Sequence, residues 1–278
     1  MTDMKAQIAE SLAGRFGESF PVPATQGLPA LAGMAAHRSI RQFADRPVDA
    51  ALVGMLCAVA LSAPTKSDLQ QADIVIVADP AKRALLDEWC GENPWVAAAP
   101  VFLVICANNR RQVRIHELRG HAFANDHLDA FFNAAVDAAI VLGAFVTAAE
   151  AAGLGTCPVS AIRNRAADVS RLLALPDRVF PVAGLCVGWP AGEGAISPRL
   201  PTALRVHRDR YDEGDLDAAI AAYDARRNRT KPFSKQRDTV RFGTAAEYGW
   251  SEDKARQYAT LERADFGAYI RSIGFKLD

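Results

Sequence analysis

The stretch His127-Leu-Asp-Ala-Phe-Phe-Asn-Ala-Ala-Val-Asp-Ala-Ala-Ile-Val-Leu-Gly-Ala-Phe-Val-Thr-Ala-Ala-Glu-Ala-Ala152 reads as one long helix, closed by Gly153. It is apolar nearly all round, so burial on most sides is expected. Its many Ala and Gly residues permit close approach of another helix, which suits a subunit interface. Asp137 interrupts the most apolar part, Ala134 to Ala149, and leaves about a dozen residues, short of the ~20 that cross a bilayer. The helix is therefore expected inside a folded domain.

Working outward, three continuous apolar runs read as buried strands: Ile74 to Val77, Val101 to Cys106 and Val182 to Gly188. Helices are expected over Asp49 to Ser62, with Leu52, Val53, Leu56, Val59 and Ala60 on one face, and over Pro80 to Trp89. Further helices are expected at about Ala166 to Ala174, Asp215 to Arg227, from Ser251, and at about Ala264 to Ser272. Glu252 and Asp253 in the first turn after Ser251 suit a helix N-terminus. The strands are too few and too irregularly spaced for a TIM barrel or an all-β sandwich. The fold class is α+β: a central mixed or antiparallel sheet flanked by helices, around a long buried central helix.

Residues 1–36 read as an N-terminal extension, an arm lying on a neighbouring surface or partly mobile. Met1 to Phe16 has the pattern of a short amphipathic helix, after which Pro21, Pro23, Pro29, Gly17, Gly27 and Gly33 are expected to break regular structure. Residues 37–278 form the remaining domain, with 226–278 as a C-terminal basic segment and helices.

The chain has 278 residues, half of them apolar, with 32 basic residues against 32 acidic ones. That balance excludes bulk electrostatics as a basis for binding nucleic acid or membrane. Five scattered cysteines without a C-x-x-C read as reduced thiols in a cytoplasmic protein. The first twenty residues carry acids and no apolar run, unlike a secretory signal. There is no G-x-G-x-x-G after a strand, no G-x-x-x-x-G-K-[ST], no H-E-x-x-H and no G-x-S-x-G. His116, His121 and His127 have spacings that fit no metal-binding helix face and read as loop histidines, so no metal is expected.

What stands out is His37-Arg-Ser-Ile-Arg41, three potential cations and a hydroxyl just before Phe43. Guanidinium groups hold phosphate through paired, charge-assisted hydrogen bonds. The motif H-R-S-I-R-x-F resembles the opening of the FMN-dependent nitroreductase family, above all its oxygen-insensitive NADPH nitroreductases and NADPH–flavin oxidoreductases. Other landmarks follow in the family's order. Ser62-Ala-Pro-Thr-Lys-Ser-Asp-Leu-Gln70 is similar to its S-x-T-S-x-x-L-Q loop, and Gly91-Glu-Asn-Pro-Trp-Val96 stands at its G-x-Q/N segment. Ala148 to Gly155 resembles the end of its central helix, and Ala161-Ile-Arg-Asn164 its G-x-R-N loop. Leu175-Pro176 through Pro190 is close to L-P…P-x-x-G-L-x-x-G-W-P, and Ser197-Pro-Arg-Leu-Pro201 with His207 and Tyr211 parallels K-P-R-L-P…V-H-x-x-x-Y. The likeness covers about residues 37–278.

The resemblance implies FMN as cofactor, NAD(P)H as hydride donor, a small electron-poor acceptor, and a homodimer with FMN at its interface. The implied reaction is ping-pong, with nitroaromatics and quinones as acceptors and free flavin a further candidate. The cofactor-binding set it implies is His37, Arg38, Ser39, Ile40, Arg41, Thr65, Asn93, Pro158, Val159, Ser160, Ala161, Ser197 and Arg199. Arg38 and Arg199 would grip the phosphate with Ser39, and Arg41 would place charge near the flavin N1 and C2=O. Thr65 and Asn93 would bond the ribityl chain or ring edge, and Pro158 to Ala161 would form a loop beside the ring. No side chain is needed as catalytic acid or base. Ser197 stands where the family often has Lys, which removes one phosphate cation, and Pro158 to Ala161 replaces a glycine-bearing stretch.

Ser67 and Asp68 fall on the acceptor side. Arg163, Arg237 and Arg263 are candidates for NADPH or substrate. Arg226 to Arg241 holds seven Lys/Arg and one Asp; it reads either as a solvated loop or as a clamp for the 2′-phosphate of NADPH. Two other readings stay open. One is a different FMN reaction on the same fold, such as reductive dehalogenation, flavin cleavage or dehydrogenation; the other is a non-catalytic flavin-binding module.

Overall fold

The computed structural model describes residues 2–91 and 93–278. In chain order the elements begin with α1 (Thr2–Phe16), α2 (Leu28–Ala35), α3 (Ala50–Leu61), β1 (Ala72–Ile76), α4 (Pro80–Trp89) and α5 (Trp95–Ala98). Then come β2 (Val101–Asn108), α6 (Arg110–Arg119), α7 (Leu128–Ala151), β3 (Gly155–Val159), α8 (Ala166–Leu172) and β4 (Val179–Gly188). The last third adds α9 (Leu216–Thr230), α10 (Thr239–Phe242), α11 (Trp250–Tyr258) and α12 (Phe266–Ser272). The chain forms two compact units, one of Met1–Arg38 with Ala195–Glu262 and one of Ser39–Gly194 with Arg263–Asp278.

The second unit carries the sheet. Its order is β1-β2-β4-β3, and every pair is antiparallel. No parallel pair occurs among the described residues, so the sheet is antiparallel rather than mixed. β2 and β4 are central and covered on both faces, which explains their unbroken apolar runs. Leu103, Ile105, Leu185 and Val187 face a core shared with Val53 and Leu56 of α3 and with Val141 and Phe145 of α7. Phe102, Val104 and Cys186 face the other side, against Leu86, Val96 and Val169. Gly184 lets the sheet close here: a Cβ there would stand 2.5 Å from the Phe102 ring.

The long helix departs from expectation. α7 runs 24 residues, and by length and composition alone it is apolar enough to cross a membrane. It is not buried on most sides. One face, including Ala134, Asp137, Ala138, Val141 and Phe145, packs on the sheet. Leu128, Phe132, Val136 and Ile140, four residues apart, are exposed by 37–60%.

The other unit corrects the reading of residues 1–36. α2 forms where Pro29 and the glycines had argued for broken structure. Pro29 sits in the first helical turn, where its missing N–H costs nothing. The bounded helices α1 and α2 pack on each other. Gly17 has a positive φ, and any Cβ there would meet the Arg226 side chain at 2.6 Å. Its absence lets Arg226 of α9 reach the Arg15 and Arg199 carbonyls.

The sequence reading also missed β3, α6 and the short helices α5 and α10. Pro158 and Val159, expected in a loop beside the ring, lie in β3. β3 is an edge strand, where a residue without N–H is tolerated. α6 places His116 on a helix rather than in a loop. Its Nδ1 is 2.8 Å from the Gln112 carbonyl oxygen and its ring stacks on Phe123.

Candidate functional site

The sheet unit builds one corner of the site along β3. The Ile40 N–H donates to the Thr156 carbonyl at 2.8 Å, so the chain at Ser39 to Arg41 runs along the outer edge of the strand. Gly155 makes this possible, since a Cβ there would lie 2.6 Å from the Ile40 side chain. Ile40 is buried and serves as packing. Arg41, one residue on, is exposed, with its guanidinium carbon 5.1 Å from the Trp95 ring centroid. Burial raises the Cys157 pKa, while the Arg41 guanidinium and the Trp95 N–H beside its sulfur pull it the other way. Asn93 closes the corner through its backbone, donating to the Cys90 carbonyl at 2.7 Å and accepting from Val96 at 2.9 Å. Glu92 of the same motif lies outside the described residues.

Pro158 to Ala161 is not one loop. Pro158 and Val159 end β3, with Val159 in the core, and Ser160 and Ala161 open a 3-10 turn over Ser160–Arg165. Pro158 and Ser160 are exposed. Arg163 in this turn donates to the Val182 carbonyl of β4.

A second corner is the loop of Thr65, Ser67 and Asp68. Ser67, Asp68 and Gln70 all have φ near +50°, a strained conformation for residues with a Cβ. Thr65 Oγ1 accepts from the Gln70 N–H at 3.3 Å. The loop ends are held by Asp137 of α7, which is 1% exposed: Oδ1 accepts from the Lys66 N–H and Oδ2 from the Gln71 N–H. Asp137 thus positions the loop, a role that the sequence signalled only as a charge inside an apolar helix. The loop leads into β1, while Arg41 lies along β3, and these are opposite edges of the sheet. One copy of the chain therefore does not bring Thr65, Ser67 and Asp68 to the Arg41 corner.

The other unit holds the remaining residues except Arg263, which belongs to the sheet unit. His37 is half-buried and its carbonyl accepts from Arg15 at 2.6 Å. Arg38 donates to the Ala36 carbonyl and lines a cavity of about 740 Å³ with Gly33, Ala36 and Ile196. The Ser197 carbonyl accepts from Arg15 and from Arg199, each at 3.3 Å. Ser197 Oγ is 3.3 Å from Lys231 Nζ, at the end of α9. Arg199 is exposed and also donates to the Pro198 carbonyl. Neither Arg15 nor Lys231 was singled out from sequence. Arg15 sat in what read as an extension, and Lys231 was one of seven basic residues.

Several cations of the basic segment are engaged within the fold. Arg237 Nε pairs with the buried Asp253 at 3.0 Å, Arg227 stacks on Phe233, and Arg226 bonds carbonyls. Arg263 takes a left-handed conformation just before α12, where its carbonyl accepts from the Phe266 N–H.

Comparison with known proteins follows this geometry. Residues 34–189 match the model of the Nitroreductase family, and residues 197–278 match that of the Nitroreductase family, C-terminal domain. The chain belongs to the nitroreductase family. A nitroreductase-family relative from Salmonella typhimurium, an oxygen-insensitive NADPH nitroreductase, is 36% identical over 89% of this chain and 98% of its own length. An FMN reductase [NAD(P)H] from Bacillus subtilis is 33% identical over 87% and 96%. Among solved structures, Bacillus megaterium NfrA2 superposes with a TM-score of 0.80 at 35% identity, covering 90% of this chain and 98% of that one. The NADPH:FMN oxidoreductase of Vibrio harveyi, solved with NAD+, gives 0.75 at 30% identity, covering 88% and 97%.

The nitroreductase residues present here suit a flavin mononucleotide. Arg199 is an exposed guanidinium bonded to neutral carbonyls, the residue type that grips a phosphate, and Arg41 is an exposed, oriented cation of the kind that suits a ring edge gaining negative charge.

Proposed function

We propose that the chain is an NAD(P)H-dependent FMN oxidoreductase that reduces small electron-poor acceptors, nitroaromatics and quinones among them, in two half-reactions. The observation that carries this reading is Arg41, an exposed cation oriented by Trp95 at the edge of β3. The printed names of the relatives, FMN reductase and NADPH nitroreductase, support it. Bound FMN supplies the hydride chemistry. Arg41 stabilises the negative charge that reduction places on the ring. Asn93, Pro158, Val159, Ser160 and Ala161 frame the ring, and Arg38, Ser197 and Arg199 take the phosphate, with His37, Ser39 and Ile40 holding the chain between Arg38 and Arg41. The NADPH candidates are Arg163, Arg237 and Arg263, and the Arg237 side chain is 47% exposed.

The assembly we propose is a homodimer. Leu128, Phe132, Val136 and Ile140 of α7, with Met55 and Val59 of α3, leave apolar side chains exposed on two helices that pack together. A second copy of this chain covers them, and its Thr65, Ser67 and Asp68 reach the flavin that the first copy's own loop does not. Five free cysteines, four of them buried, suit the cytoplasm.

Steady-state oxidation of NADPH and NADH with a panel of nitroaromatics and quinones tests the reaction. Turnover with parallel lines in double-reciprocal plots is expected; absence of turnover with any acceptor would overturn it.

A further inference from the structure

We infer that Arg15 and Glu18 are positioning residues of the flavin site: from the N-terminal extension they hold the two segments that carry Arg38 and Arg199 in place for the FMN phosphate. The inference rests on the FMN reading above. The family match begins at residue 34, so both residues lie ahead of it. They and the two segments belong to the same compact unit.

Arg15 stands in the last turn of α1, where a cation suits the open carbonyls of a helix end. It is only 8% exposed, and a buried charge has to be hydrogen-bonded. Its bonds reach beyond its own helix. Nη2 donates to the Ala35 carbonyl at 3.1 Å and to the His37 carbonyl at 2.6 Å, just ahead of Arg38. Nη1 donates to the Ser197 carbonyl at 3.3 Å, two residues ahead of Arg199. The Arg15 carbonyl accepts the Arg199 N–H at 2.7 Å, so its side chain and main chain grip the same segment. A planar guanidinium can bridge carbonyls of two segments in this way, whereas an ammonium is a single point.

Glu18 fixes the far end of that segment. Oε1 accepts the Thr202 N–H at 2.9 Å and Oε2 the Thr202 hydroxyl at 2.5 Å. Gly17, with its positive φ, turns the chain between the two side chains. Residues 193–201 contain no helix or strand, so no ladder of their own sets where Arg199 stands. Its backbone is placed by bonds from the extension, from Arg226 to the Arg199 carbonyl, and from Tyr223 to the Pro198 carbonyl at 3.1 Å.

The opposite charges of Arg15 and Glu18 separate positioning from a simple field effect. Acting through charge alone, loss of Arg15 would weaken an anion and loss of Glu18 would strengthen it. Acting by holding the segments, both losses weaken it.

The test titrates FMN and riboflavin into the full-length apoprotein, read by quenching of flavin fluorescence. The chains are wild type, Arg15→Met, Arg15→Lys and Glu18→Ala. Riboflavin lacks the phosphate and reports on everything else in the site. Arg15→Met should weaken FMN about tenfold, the size of one charge-assisted contact, and leave riboflavin unchanged. Arg15→Lys keeps the charge without the fork and should lose most of the same affinity. Glu18→Ala should weaken FMN about threefold, although it removes an anion. Should Arg15→Met fail to fold, the sign of the Glu18→Ala effect decides alone. Glu18→Ala binding FMN as well as wild type or better, Arg15→Lys binding like wild type, or equal losses of FMN and riboflavin would overturn the assignment while leaving the flavin reading intact. A wild-type chain that takes up neither flavin would overturn the flavin reading itself.

Discussion

The Lys66 backbone N–H donates to the buried Asp137 carboxylate at 2.9 Å, and 71 residues of chain separate the two. The other carboxylate oxygen takes the Gln71 N–H at 3.2 Å, so one side chain clamps both ends of a loop with three strained residues. Each such strained residue costs of order 1–3 kcal/mol. Asp137→Asn keeps the shape but can satisfy only one of the two N–H groups. We expect it to lower stability by about 1–3 kcal/mol, read by urea denaturation. An unchanged denaturation midpoint would show that the loop holds itself.

Arg237 pairs with Asp253, whose carboxylate is only 2% exposed and also meets Lys254 at 2.8 Å. Burial pushes the Asp253 pKa up, but Lys254, Tyr248 and Arg237 outweigh it and hold the carboxyl below its usual range. Arg237→Ala leaves Lys254 in place, so the stability loss should be about 1–2 kcal/mol rather than the full cost of an unpaired buried charge. As the NADPH clamp proposed here, it should also lower kcat/KM about tenfold for NADPH and little for NADH. Equal losses with both donors would leave Arg237 a structural residue only.

The acid limb of the stability curve should report Asp126. Its hydrogen bond from Arg178 holds the carboxyl below the usual range against the opposing effect of burial, with Lys276 adding to it. A depressed folded pKa gives stability that is present above the unfolded value, near ~3.9, and lost as pH falls through the folded one. Asp126→Asn should therefore be less stable than wild type at pH 7 and lose less on acidification below about pH 4. Parallel curves would rule out this pair as the titrating element.

Exposed apolar residues on α7 give the dimer its test. Phe132→Asp together with Ile140→Asp should yield a monomer by light scattering at micromolar concentration, where wild type gives twice the chain mass. A monomeric wild type with FMN bound would contradict the proposed assembly.

Where local chemistry decided an element, the sequence was enough to find it. Pro80 to Trp89 was bounded by a proline start, and α3 by its Asp49 cap, whose Oδ1 accepts from the Ala51 N–H. The central strands showed as unbroken apolar runs because both faces are covered. β3 was hidden because an edge strand tolerates Pro158, and α2 because a proline at a helix start looks like a breaker. The Arg41 corner was legible through its motif, with Trp95 as an unforeseen partner. Contacts set by tertiary packing were not legible: Asp137 with Lys66, Asp253 with Arg237 and Lys231 with Ser197 lie 71, 16 and 34 residues apart. The half-exposure of α7 was missed because apolar residues read alike in the sequence whether their face packs on the sheet or lies at the surface of the chain.

The most direct test of the account is stopped-flow spectroscopy of the purified full-length protein at the flavin absorbance maximum. It should be yellow, release one FMN and no FAD per chain on denaturation, and bleach in a single turnover with NADPH, the colour returning when a quinone is added. Colourless protein that takes up no FMN, or bound FMN that neither NADPH nor NADH bleaches, would contradict it.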